Sequence, residues 1–167
     1  MPVSRAELSG MGAEFRFIDT AAEIRPGLFF SGTIERVTEF ESGDSKLVVD
    51  SDDGDTVADG FADDTSLFYV GDKGLVVLGG CTHAGLVNTV EYGFKVTGQN
   101  RLAAWIGGTH LGPASPKQQE ATLKKLAEYN PDMIVSGHCT GFAMMAELQK
   151  RFGTVFSVPW VGKTIEI

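Results

Sequence analysis

Two rhythms of apolar and polar residues run through the 167-residue chain. Over residues 1–70 the runs are short: Glu14–Ile18, Leu28–Ser31, Lys46–Val49 and Ser66–Val70, separated by Pro26-Gly27, Ser42-Gly43-Asp44 and Asp53-Gly54. This pattern predicts short strands joined by turns. Over residues 71–152 continuous apolar runs alternate with helical periodicity, the signature of parallel βα units. Leu75–Leu78 predicts a buried strand. It is followed by a helix from about Ala84 that sets Leu86, Val87, Val90 and Phe94 on one face and stops at Gly98. Leu102–Ile106 predicts the next strand. Ser115-Pro116 opens the second helix, with Leu123, Leu126 and Ala127 inward and Gln118 placed for a capping box. Asp132–Val135 and a helix over Phe142–Phe152, closed by Gly153, make the third unit. The tail Val155–Ile167 is expected to add an edge strand, limited by Pro159 and Gly162. The fold class read from this pattern is α/β, a mixed sheet with helices packed on one face, in one domain over 1–167.

Composition narrows the function classes. Hydrophobic residues make up 43% and charged residues 22%, which excludes disordered and fibrous chains. No apolar run is long enough to span a bilayer, and Met1–Gly10 lacks the apolar stretch of a secretory signal. Two cysteines give no disulfide framework, so a reducing, cytoplasmic setting is the expectation. The net charge of −8 is local. Residues 39–64 hold ten acids against the single base Lys46, and the rest of the chain is close to neutral. Without clustered Lys and Arg there is no phosphate-backbone grip, so neither nucleic acid nor membrane is an expected partner. The Asp50-x-Asp52-Asp53-Gly54-Asp55 run has its glycine fifth and Phe61 at the twelfth place, which breaks the calcium-loop order and leaves a solvated acidic hairpin. Asp63-Asp64 precedes a strand, either as a turn or pointing toward a site.

The chain has three histidines, His83, His110 and His138, each just after a predicted strand, in or beside a glycine turn and ahead of a helix. In a parallel sheet such turns leave at one carboxyl edge, where open α/β sheets place their ligands. Three imidazoles distant in sequence can therefore converge, with glycines admitting close backbone approach or positive φ. A lone loop histidine is more often solvated than functional; three at equivalent places point to a ligand site. Imidazole suits zinc, iron, manganese or nickel, and three imidazoles can hold a zinc with an open fourth position. Cys81 and Cys139 stand in mirrored contexts, Cys81-Thr82-His83 and His138-Cys139-Thr140. Each cysteine reads as a thiolate ligand or nucleophile, or as a small residue filling a tight turn. The hydroxyls of Thr82 and Thr140 read as donors to an anionic ligand or as partners of turn amides.

The segments Gly74-Leu75-Val76-Val77-Leu78-Gly79-Gly80-Cys81-Thr82-His83-Ala84-Gly85, Ile106-Gly107-Gly108-Thr109-His110-Leu111 and Gly137-His138-Cys139-Thr140-Gly141 together resemble one branch of the metallo-β-lactamase superfamily. This is the dihydropterin-methyl-ribofuranosylaminobenzene-phosphate synthase type, linked to methanopterin-like biosynthesis. The likeness extends over nearly the whole chain, including Pro26-Gly27, Gly32 to Glu41, and Val161-Gly162-Lys163. It implies half of an αββα sandwich, the C-terminal half, because the His-x-His-x-Asp-His motif of that superfamily is absent here. By the resemblance, His83 and His138 map onto metal-binding histidines, and His110 is substrate-facing or an extra ligand. Cys81, Thr82, Cys139 and Thr140 join His110 on the substrate side. The implied cofactor is a divalent metal, zinc first, with iron or manganese as alternatives.

Half a sandwich leaves an apolar sheet face larger than a monomer tolerates. A homodimer, or a complex with a separately encoded N-terminal half, is therefore expected. The leading function is a metal-dependent hydrolase-like protein or subunit acting on a phosphorylated or pterin-like small molecule, incomplete without its partner. The alternative is a non-catalytic truncated relative that binds a ligand or serves as a structural module. A thiol redox protein using Cys81 and Cys139 is the third reading.

Overall fold

The elements follow in the order α1 (Arg5–Gly10), β1 (Ala22–Arg25), β2 (Leu28–Phe30), β3 (Val48–Asp50), β4 (Thr56–Ala58), β5 (Ser66–Gly71), β6 (Gly74–Gly79), α2 (Leu86–Thr97), β7 (Leu102–Ile106), α3 (Pro116–Tyr129), β8 (Met133–Val135), α4 (Phe142–Phe152) and β9 (Phe156–Ser157). They come from a computed structural model that describes residues 3–44, 46–51 and 53–167. Seven strands form one mixed sheet in the order β1-β2-β5-β6-β7-β8-β9. The first four pair antiparallel, and β6 through β9 pair parallel.

Register decides which face is the core. Phe29, Phe68, Val77, Trp105, Ile134 and Phe156 lie opposite one another across the strands. They pack against Leu86, Val87 and Val90 of α2, Leu123 and Leu126 of α3, and Met144 and Leu148 of α4. All three long helices thus cover one face, as the 3.6-residue periodicity requires. The alternate positions Phe30, Leu67, Leu78, Ile106 and Val135 form a second row on the other face. No helix among the described residues covers that face. Phe30, Leu67, Leu78 and Ile106 are only half-buried and Tyr69 is 37% exposed.

The helix boundaries have local causes. Gly98 closes α2 in the left-handed conformation, and Ser115 caps α3 by accepting the Gln118 amide through Oγ at 3.2 Å. Helix α2 has only Gly85 at its N-cap, and its cap comes from a distant residue. The Glu41 carboxylate accepts the amides of Val87 and Asn88, each at 2.8 Å. Asn88 Oδ1 in turn accepts the amides of Val37 and Thr38, which straps residues 37–41 to the start of the helix. Gly85 is required here, because its φ is +106° and a Cβ would overlap the Glu41 carboxylate.

One sequence expectation is corrected, and the expected edge strand of the tail is found but short. Glu14–Ile18 is not a strand: Phe15 and Phe17 stack on each other and flank the Arg5 guanidinium at 5.3 and 4.8 Å, so their alternation serves a local cluster. Beside it stands α1, with a Ser4–Glu7 capping box. The first sheet strand is Ala22–Arg25. The tail contributes only Phe156–Ser157 to the sheet, because Pro159 lacks a ladder donor and packs over Gly137. The acidic segment does form a hairpin, β3 with β4, whose strand residues are all exposed; Asp52 of that run lies outside the described residues.

Candidate functional site

The parallel register Leu78↔Ile106↔Val135 brings the carboxyl ends of β6, β7 and β8 abreast. Their turns bond to one another. Gly107 donates to Val135 O at 3.0 Å, Gly108 to Gly80 O at 2.8 Å, and Thr82 Oγ1 to Gly108 O at 3.0 Å. The Thr109 amide donates to Thr140 Oγ1 at 3.2 Å. A Cβ on Gly108 would stand 2.5 Å from Cys139 Sγ, and one on Gly107 would overlap Gly79 O. These two glycines admit close approach of turn to turn. The result is one continuous rim.

Two of the three histidines meet on it. The rings of His83 and His110 lie 4.2 Å apart between centroids, tilted by 32°, and Phe61 sets its ring edge-on to His83 at 5.1 Å. Asp64 Oδ2 accepts the Ala84 amide at 2.8 Å and so holds the turn carrying His83. His110 Nε2 stands 3.5 Å from Asp44 Oδ2, too long for a good hydrogen bond, and neither buried ring nitrogen of His110 has a hydrogen-bond partner. Burial, and after it the neighbouring His83, push His110 below the ordinary imidazole range against the pull of Asp44. The amide of Lys46, with His110 beside it, holds the Asp44 carboxyl below the usual range.

His138 sits on the same rim but faces elsewhere. It is exposed and lines a cleft of about 450 Å³ on the open side of the sheet, with Gly80, Gly108 and Pro159 around it and Leu67, Leu78 and Ile106 below. His83 and His110 line a separate cavity of about 270 Å³ on the helix side. The expected convergence therefore holds for the rim and for one pair, while the single pocket shared by all three rings is not formed. The cause is the left-handed backbone: of the five non-glycine residues with positive φ among the described residues, Thr82 (+64°), His110 (+47°), His138 (+54°) and Phe61 (+54°) belong to this region. Each such residue stores about 1 kcal/mol or more of strain, which clusters at sites.

Cys139 Sγ accepts the His110 amide and donates to Cys81 O, both at 3.3 Å, filling the junction of the three turns. Burial pushes its thiol up to about 11. The hydroxyls of Thr82 and Thr140 bond to turn groups, and both residues are buried. Cys81 is half-buried in the same turn.

Two imidazoles and the Asp44 carboxylate offer donor atoms suited to a divalent metal. Yet among the described residues no group of three or more His, Cys, Asp or Glu side chains is arranged to hold one. His138, which the resemblance pairs with His83, faces the other cavity. The described residues do not by themselves fit a complete metal centre. Sequence reasoning missed Asp44, Lys46 and Gln118 as neighbours of the histidine pair; Asp44 and Lys46 were legible only as charges in an acidic stretch, and Gln118 only as a capping residue.

No family model matches the chain. The 7,8-dihydropterin-6-methyl-4-(β-D-ribofuranosyl)-aminobenzene-5′-phosphate synthase of Methanocaldococcus jannaschii is 30% identical over 164 residues, covering 97% of this chain and 56% of that protein. An uncharacterized protein of the same organism is 29% identical over 158 residues, covering 93% of this chain and 56% of that one. The chain thus spans about half the length of the curated relatives it matches. A crystal structure described as a metal-dependent hydrolase of the β-lactamase superfamily superposes with a TM-score of 0.79 at 24% identity, over 92% of this chain and 58% of that one. Among the described residues no helix is long and apolar enough to cross a membrane. The chain thus has the fold of the β-lactamase-superfamily hydrolase over 58% of that chain's length, and its sequence is similar to 56% of the dihydropterin-methyl-ribofuranosylaminobenzene-phosphate synthase.

Proposed function

We propose that this chain is the C-terminal half of a metal-dependent, hydrolase-like enzyme of a phosphorylated or pterin-like small molecule. Its site is completed by a partner, either a separately encoded N-terminal half or a second copy. The observation that carries the reading is the cleft beside His138, whose floor is the uncovered apolar row Leu67, Leu78 and Ile106. A chain seated on that row closes the cleft and brings its own ligands to His138. The likeness to a 5′-phosphate synthase and to a metal-dependent hydrolase supports the substrate class and the metal. Within this chain, His110 offers buried ring nitrogens without a hydrogen-bond partner among the described residues, Phe61 packs on His83, Asp64 holds its turn, and hydrogen bonds join the turns of the rim.

The lack of a three-ligand group among the described residues favours the second reading, a non-catalytic module that binds a ligand or supports a partner. Elemental analysis of protein purified at neutral pH separates them. The first reading expects stoichiometric zinc, iron or manganese in the assembled protein, lost in His83→Ala and in His138→Ala. Assembled protein free of metal would overturn it in favour of the second.

A further inference from the structure

The cavity on the helix side of the rim differs in character from the apolar cleft. Polar side chains from four segments line it: Asp44 and Lys46 ahead of β3, His83, His110, and Ser115 and Gln118 at the start of α3. Both ring nitrogens of His110 are buried without a partner, and a buried polar atom left so costs about 1–3 kcal/mol. Helix α3 runs for 14 residues with no acid in its first turn, so its N-terminal potential is uncompensated from within the helix. Asp44 is the only anion among the lining residues, and it stands against His110 at 3.5 Å.

We propose that this cavity binds the phosphomonoester group of the substrate, with Asp44 standing where the phosphate goes; the inference rests on the phosphorylated-substrate reading above. Lys46 supplies the charge, Gln118 an amide donor, and His110 a buried ring N–H whose nearest anion among the described residues is Asp44 at 3.5 Å. The phosphate displaces the Asp44 carboxylate, because two anions do not share one set of donors.

Titration of the full chain with inorganic phosphate, followed through the histidine ring resonances, tests this. Saturable shifts of the His83 and His110 rings are expected. Removing one charge at close range in a half-exposed site makes Asp44→Asn tighten binding by about fivefold, and Lys46→Ala weaken it by about as much. Asp53→Asn, on the exposed hairpin turn, leaves the affinity at the wild-type value. Absence of saturation in both wild type and Asp44→Asn would overturn the site, as would equal tightening by Asp53→Asn. Lys46 is exposed, so its variant folds and keeps the test open if Asp44→Asn does not. Metal content reads His83 and His138 separately. Phosphate binding without metal leaves this site standing and removes the enzyme reading; metal without phosphate binding does the reverse.

Discussion

Glu41 lies 46 residues before Val87 in sequence, is 2% exposed, and closes the first turn of α2 with its carboxylate. Replacing it with alanine strands two helix amides, so Glu41→Ala is expected to cost about 2 kcal/mol in a urea unfolding experiment. Its titration has a definite sign. Burial raises Glu41 above the ordinary carboxylate value, ahead of the opposing pull of the Val87 and Asn88 amides, so the fold favours the protonated form. The stability from this preference is full below the unfolded value of about 4.5 and is lost as pH rises through the higher folded value. Against Glu41→Gln, which does not titrate, the wild type should lose relative stability over that window; parallel curves would contradict the assignment. Cys139 gives a second residue-scale test. With its thiol near 11 it is almost wholly protonated at pH 7.5, and iodoacetamide should leave it unmodified on the timescale that labels a free thiol. Rapid labelling of the folded protein would revive the redox reading.

At the scale of elements, the rim depends on turns touching turns. Gly107 has φ +151° and no room for a Cβ against Gly79, so Gly107→Ala should cost about 2 kcal/mol or more, read as a lowered denaturation midpoint. The parallel βα units were legible because their periodicity is set by burial on both sides of the sheet and by one apolar stripe per helix. Leu86, Val90, Leu123 and Leu126 are buried as their spacing requires. The first 70 residues were less legible, since short alternating runs do not say what they alternate against. Phe15 and Phe17 clasp Arg5, while Ala22–Arg25 takes the edge of the sheet. The site followed the same division. The three histidine turns could be placed on one edge from sequence alone. The direction of each ring could not, because it is set by single left-handed residues, and Asp44 reaches His110 across 66 positions through a loop with no periodic signal.

At the scale of the molecule, helices cover only one face of the sheet, and the reverse is buried at Val76 and Ala104 but open toward the rim. Helices bury Phe68, Val77 and Trp105 completely, while Leu67, Leu78 and Ile106 on the reverse stay half-buried and Tyr69 opens to solvent. The tail crosses part of this face, with Pro159 over Gly137, and Glu166 and Ile167 near Met133. Relatives nearly twice as long share this half. Exposed apolar patches of this kind mark interaction sites, and the cleft beside His138 opens onto this one. Ile106→Lys places a charge on that face without touching the helix-side core. Light scattering of the purified chain at micromolar concentration, coupled to size exclusion, tests the composite site most directly. The account predicts a mass above that of one chain for the wild type and a shift toward the monomer for Ile106→Lys. A stable, cooperatively folded wild-type monomer would contradict it.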